Sequence, residues 1–332
     1  MRKQHVTPRD RASDLVLSGH NPRSSRRLRL AAGASAVAMA VAAVEIRADD
    51  LTWNAGTGSY FTATNWTPND VPTFGDTAFI NNGGKATASG GTPVNNDNFW
   101  LGLNGGVGHF EGLDTNVGIL DLLGIGFIDD AHVDPTLATH SRGSFRLVGN
   151  QQGLANGLLE VGQNPDSAMY IGTAFGDGKA EGSLELLGSL AAFNILVGSA
   201  DTFDRSATGK GWMVLTNKDG ALANDQVSIA GDLIIGSALL EKAFLDRASA
   251  KADGKVEIRE LISANIDGSI YVGNASLNNY FSNQDAPVEA KGELLVQRVL
   301  QFEAGNSLLI GTADATEGGI GHAHSTGKVV LD

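Results

Sequence analysis

The sequence predicts an all-β chain wound as a β-solenoid, and three observations predict it. A segment of 20 residues recurs without a gap, its apolar residues alternate at period two, and glycines stand at fixed points with connectors of unequal length between copies. Gly makes up 43 of 332 residues and Pro only 8, which exceeds the usual Gly share of about 7% without the Pro content of a collagen. Such a composition suits many strands separated by turns.

The gapless copies are GSFRLVGNQQGLANGLLEVG (residues 143–162), GKVEIRELISANIDGSIYVG (254–273) and GELLVQRVLQFEAGNSLLIG (292–311). Looser copies span 182–198 and 211–236, and a last one opens at Gly327 as GKVVLD. Val256 and Ile258, Ile270 and Val272, Leu294 and Val296, and Leu308 and Ile310 sit two apart, so each pair points to one face of a strand. These eight residues are expected to line one continuous core. Each unit reads as two or three short strands bounded by Gly, and such a unit buries its apolar face only by stacking on its neighbours. In residues 149–172 two readings stay open, because LEVG (159–162) and MYIG (169–172) both fit the closing strand. The connectors leave the repeat at one point, which in a solenoid places them side by side on a flank that is often the binding face. The connector 237–253, SALLEKAFLDRASAKAD, is rich in good helix formers and is expected to be a short helix. A propeller needs four strands per repeat, more than these 20-residue cores hold.

Residues 1–48 differ from the rest. A basic lead ending in Ser24-Ser25-Arg26-Arg27-Leu28-Arg29-Leu30 precedes an uncharged Ala/Val-rich run, residues 31–44, too short for a stable membrane span. This is the form of a signal peptide, with Ala48 as the candidate cleavage point, although Ile46 is not small at the third position back, which leaves the exact site open. The SRRLRL stretch resembles the twin-arginine export motif, and an ordinary basic n-region reads the same residues equally well. The segment holds nine of the 24 basic and three of the 37 acidic side chains, leaving 15 against 34 and a formal charge of −19 on residues 49–332. A chain so acidic is expected to bind no nucleic acid and no anionic membrane surface. With no Cys, disulfides, thiolate metal sites and cysteine nucleophiles are all excluded.

Residues 49–98 read as an aromatic cap with the first coils, and residues 99–332 as the solenoid repeats, incomplete at the C-terminal end. Trp53, Tyr60, Phe61, Trp66 and Phe74 alternate with turn formers. They are expected to cap the first coil and shield its strand edge; the other use open to them, glycan stacking, falls on Trp53, Tyr60 and Trp66. The segment LTWNAGTGSYFTATNWTPNDVPTFGDTAFINNGG (51–84) resembles the start of bacterial exported β-helix proteins, the autotransporter-passenger-like and related Pro-Glu-Pro-tailed surface proteins. Trp53 to Gly58, Asn65-Trp66, Val71-Pro72, Gly75-Asp76 and Asn81 to Gly84 carry that resemblance. It implies a right-handed parallel β-helix on an exported protein, and it extends over the later repeats only as a pattern. The far end departs from the family, with no membrane barrel, sorting tail or dockerin-like segment in the sequence, and this leaves the anchorage open.

No cofactor or metal site is expected. Gly105 to Phe110 and Gly318 to Ala323 resemble the start of a calcium nonapeptide, but Phe110 and Ala323 replace its sixth-position Asp. His322 and His324 share a face if extended, without an evident third ligand. Asp129, Asp130 and Asp134 form the best acidic cluster, yet neighbours on a strand point oppositely and turn carboxylates are ordinarily solvated. No Gly-x-Ser-x-Gly, P-loop or His-Glu-x-x-His occurs. The expectation is a secreted or cell-surface structural and adhesive solenoid, extracellular or periplasmic, that is not an enzyme and acts through exposed loops on extracellular polysaccharide or surface proteins. A carbohydrate-binding protein is the alternative, followed by a polysaccharide-cleaving β-helix. Because GKVVLD opens a coil that nothing follows, self-association through this end is expected as well.

Overall fold

The computed structural model describes residues 48–129, 140–149, 157–162, 164–202, 205–217, 225–241, 248–277, 286–315 and 321–332. The leader expected at residues 1–48 falls, except for Ala48, outside the described residues.

One coil gives the plan of the whole. Ser249–Arg259 forms a long face, Ser263–Ile266 a short face and Ile270–Leu277 a bent face. Each pairs in parallel with its counterpart one coil on, Val256 beside Leu294, Ala264 beside Phe302 and Ile270 beside Leu308. The long-face strands make a nine-stranded sheet. The short and bent faces share a sixteen-stranded sheet, joined where Val94–Leu103 and Val117–Asp129 run through both without a break. Among the described residues the one antiparallel pairing sets Asp50–Trp53 against Trp66–Thr67, and the one helical element is the turn Ala63–Asn65. The chain is therefore an all-β parallel β-helix, as the repeat predicts.

Inside, matching rungs stack into columns. Met169, Ile195, Leu233 and Ile270 form one, and Leu184, Met213, Val256 and Leu294 face it from the long sheet, all at 0% exposure. Six of the eight expected core residues are buried at 4% or less, whereas Leu308 and Ile310 are 42% and 45% exposed. They hold the inward register, opposite Ile270 and Val272, but no described strand covers their far side. The alternation is right and the burial is missing.

The glycines overturn the reading of short strands bounded by Gly. Gly254 lies in the middle of Ser249–Arg259, and Gly273 in the middle of Ile270–Leu277. A Cβ built on any of the long-face glycines Gly143, Gly182, Gly211, Gly254, Gly292 or Gly327 would lie 2.3–2.5 Å from the amide nitrogen of a bent-face glycine, respectively Gly126, Gly172, Gly198, Gly236, Gly273 or Gly311. The two backbones touch there, pinching the interior into a waist. The bent-face glycines have φ between 61° and 68°, the left-handed region that side chains disfavour. Each shifts the alternation by one, so that inward Val272 is followed by inward Ala275 and Leu277.

Beyond the waist lies a second, thin core filled mostly by alanine: Ala174, Ala180, Ala200, Ala207, Ala238, Ala250, Ala252 and Ala275, with Ile128, Leu240 and Leu277 among them. This corrects the helix expected over 237–253. Ser237 to Leu240 and Ser249 to Asp253 continue the strands on either side, while 242–247 lie outside the described residues. Alanine is used here because the lobe is too thin for larger side chains; its helix propensity is overridden by parallel pairing on both sides. The open choice in 149–172 also resolves. Ile171 pairs with Val197, placing MYIG on the bent face, while Leu159 pairs with Leu190, placing LEVG on the short face. The gapless match of 143–162 to the later copies is thus out of structural register in its second half.

At the N-terminal end, Trp53, Tyr60 and Trp66 are 1%, 0% and 0% exposed. Trp66 lies edge-on to Trp53 at 5.0 Å and to Tyr60 at 5.1 Å between ring centroids. The Trp66 indole N–H donates to the Tyr60 carbonyl at 2.8 Å, and the Tyr60 hydroxyl donates to Asn96 Oδ1 at 2.7 Å. Phe99, Phe110 and Phe145 continue the aromatic packing into the coils. Cap and repeats share one core, and the strand Val94–Leu103 runs across the division placed at residues 98 and 99.

Candidate functional site

With apolar columns inside, the side chains that carry chemistry stand on the outer faces. The long face shows the fullest pattern. Its outward columns are His140, Lys179, Thr208, Lys251, Glu289 and His324; Arg142, Glu181, Lys210, Asp253, Lys291 and Thr326; Ser144, Ser183, Trp212, Lys255, Glu293 and Lys328. Rungs in a sheet lie about 4.8 Å apart, so opposite charges on adjacent rungs meet. Glu111 contacts Lys85 at 2.5 Å and Arg146 at 3.0 Å, and Arg146 reaches on to Glu185 at 2.9 Å. Lys251 holds Glu289 at 2.6 Å, and Lys328 holds Glu293 at 2.9 Å. Glu257, nearly buried, is satisfied by both Lys255 and Arg259, as a desolvated carboxylate requires.

These pairings set the protonation of the face. The Glu181 carboxyl is pushed down to about 2, first by its hydrogen bond from Lys179 and then by the charges of Lys179, His140 and Arg142. Glu111, Glu289 and Glu293 are held low by Lys85, Lys251 and Lys328 respectively. His109 is pushed down by burial and by Lys85, and its ring stands 2.7 Å from the Ser144 hydroxyl. The result is a broad sheet of paired charge in which the Glu111, Glu181, Glu289 and Glu293 carboxyls are held below their ordinary range.

One side chain breaks the pattern. Trp212, on the strand Ser206–Thr216, is 45% exposed in a column whose other rungs are Thr57, Lys85, His109, Ser144, Ser183, Lys255, Glu293 and Lys328. Sequence reasoning passed it over, although the residue after each aligned long-face glycine is otherwise His, Ser, Lys or Glu. Had the repeats been aligned on that glycine for outward as well as inward positions, Trp212 would have stood out.

The bent face carries a different stripe. Trp100, Tyr170, Leu196, Ile234, Tyr271 and Leu309 occupy one outward register, each half-buried. Phe127 packs on Trp100 at 5.1 Å and on Tyr170 at 4.9 Å. Burial, with Asp121 and Asp129 nearby, pushes the Tyr170 phenol up to about 12.

The residues singled out from sequence fall as follows. Trp53, Tyr60 and Trp66 form the cap interior and offer no ring face to a sugar, because packed aromatics surround them; Phe74, 57% exposed, is the accessible ring of that set. Phe110 replaces the nonapeptide Asp because its side chain points into the core at 1% exposure. His322 and His324 are both exposed on one side of the strand Gly321–Leu331. Among the described residues no group of three or more His, Cys, Asp or Glu is placed to hold a metal. Asp130, Asp134 and residues 318–320 lie outside the described residues. Among the described residues no helix is long and apolar enough to cross a membrane. Compared with protein-family models, with curated proteins and with solved structures, the chain matches none.

Proposed function

We propose that the chain is an exported structural and adhesive β-solenoid, extracellular or on the cell surface, whose outer faces and connector loops contact extracellular polysaccharide or surface proteins. The observation that carries this reading is the segregation of chemistry: apolar columns fill both lobes, and ion-paired columns cover the long face. A rigid sheet of repeated charge presents many weak contacts at fixed spacing, which suits attachment to a repeating polymer through summed binding. The basic lead and apolar run in residues 1–44 support export, as does the resemblance of residues 51–84 to exported β-helix proteins. The strongly acidic remainder disfavours nucleic acid as a partner.

Carbohydrate binding is the second reading, favoured by exposed Trp212 on the charged face. Expression of the full chain in a bacterial host tests the first. Protease treatment of intact cells is expected to remove it, and the released chain is expected to sediment with extracellular polymer. A chain that stays protected in the cytoplasm and sediments with nothing contradicts the reading.

A further inference from the structure

Two independent features meet on the strand Ser206–Thr216. Trp212 is 45% exposed at mid-solenoid, and among the described residues no aromatic ring packs against it. Lys210, two residues earlier and on the same outward side, is also exposed. Of the lysines and arginines described on the strands of this face it is the one without an ion-pair partner: Lys85, Arg142, Arg146, Lys179, Lys251, Lys255, Arg259, Lys291 and Lys328 all have one.

The register explains why Lys210 is left over. Its lateral neighbours are Glu181 and Asp253, but both carboxylates pair with other cations. Glu181 is taken by Lys179 at 2.5 Å and Arg142 at 3.0 Å, and Asp253 lies 3.8 Å from Lys291. Beside Trp212, Glu185 is taken by Arg146, and Glu257 by Lys255 and Arg259. Among the groups named here cations outnumber carboxylates, and Lys210 is the ammonium left without a partner. The Lys210 backbone lies about 6.6 Å along the strand from that of Trp212, two residues at the usual rise. Ser183 flanks the ring on one side with a short hydroxyl, and Val214 continues the strand as a low apolar floor.

We propose that Trp212 and Lys210 form a subsite for an acidic saccharide, the indole stacking on a pyranose ring and the ammonium pairing with the carboxylate of a uronic-acid unit. The indole supplies a flat apolar face of the size of a sugar ring. Lys210 supplies the charge that a neutral sugar would leave unused, with Ser183 and Lys255 in reach of ring hydroxyls. The proposal deepens the adhesive reading and rests on it, since it names the chemistry of polymer that one face takes.

The test is an isotherm of the full chain with a linear oligouronate and with a neutral oligosaccharide of matching length, together with retention of the chain on whole extracellular polymer. Trp212→Ser installs the residue of the two preceding rungs, so the fold is expected to persist, and a circular dichroism melt checks this. Trp212→Ser is expected to weaken oligouronate binding by about tenfold or more, equivalent to about 1.4 kcal/mol. Lys210→Gln is expected to bring oligouronate affinity down to that of the neutral oligomer, while Arg298→Gln, at an exposed cation outside the strands of this face, leaves it unchanged. Equal binding of both oligomers by the unaltered chain, or no effect of Trp212→Ser and Lys210→Gln, overturns the proposal. If the chain binds no oligouronate yet stays on the polymer, this subsite is wrong and the adhesive reading stands; if it does neither, both fall.

Discussion

Gly254 packs so closely on Gly236 that a Cβ on Gly254 would sit 2.4 Å from the Gly236 nitrogen and 2.2 Å from the Val197 carbonyl oxygen. Neither partner is a side chain that can swing away. The waist is a contact of two backbones, and Gly254→Ala must push the sheets apart. An overpacked core costs about 1–3 kcal/mol, so a clearly lowered melting midpoint is expected. Gly56→Ala is the control, since nothing lies within 4 Å of a Cβ there and its φ is ordinary. Equal midpoints for the two variants would mean that the waist is not formed.

Ile270 and Ile310 hold the two ends of one comparison. They sit on inward registers of successive bent-face strands, but Ile270 is 0% and Ile310 45% exposed. Ile270→Ala is expected to cost about 2–5 kcal/mol. Ile310→Ala should cost well under half as much, because water already reaches that side chain. Thermal melts of both variants decide it, and equal losses would show that the last coil is covered in solution.

The coil architecture was legible in the sequence because alternation at Val256, Ile258, Ile270 and Val272 reports inward faces directly. The waist was not. A glycine in the middle of a strand and a glycine at its end look alike in a sequence, and the alanines beyond it resemble helix. Only the pairing of Ala250 with Val288 and of Ala238 with Ala275 reveals those stretches as strand. Trp53, Tyr60 and Trp66 alternate with turn formers, which marked them first as a cap, and they lie in its interior; Trp212 was passed over because a single aromatic among polar rungs makes no cluster in a sequence.

The Glu181 cluster gives a pH signature. Its folded-state carboxyl lies lower, at about 2, than an unfolded glutamate at about 4.3. The stabilisation is therefore fully present above about pH 4.3 and is lost as pH falls toward 2. Lys179 and Arg142 are about half exposed, so screening keeps the effect to about 0.2–1 kcal/mol. Glu181→Gln should melt slightly lower than the unaltered chain at pH 7, and the two should converge between pH 4 and pH 2. A gap that widens toward acid would contradict the ion cluster.

Leu300, Leu308, Ile310 and Leu331 are 69%, 42%, 45% and 61% exposed on the last described coil. Strand edges with that much apolar surface template further pairing. Light scattering of the full chain is expected to show self-association that Leu331→Lys with Ile310→Lys reduces. A strictly monomeric particle at high concentration would rule this contact out.

The central claim is that the outer face acts while the interior only supports it. It is tested most directly by measuring how much of the full chain is retained on immobilised extracellular polysaccharide, for an outward double variant Lys251→Ser and Lys291→Ser and for the inward variant Ile270→Val. Losing the exposed lysines is expected to change stability little, since surface substitutions usually stay within about 0.5 kcal/mol each, but to lower retention severalfold. Ile270→Val should lower the melting midpoint and leave retention below that midpoint unchanged. Full retention by the outward variant, or loss of retention by the folded inward one, would contradict the account.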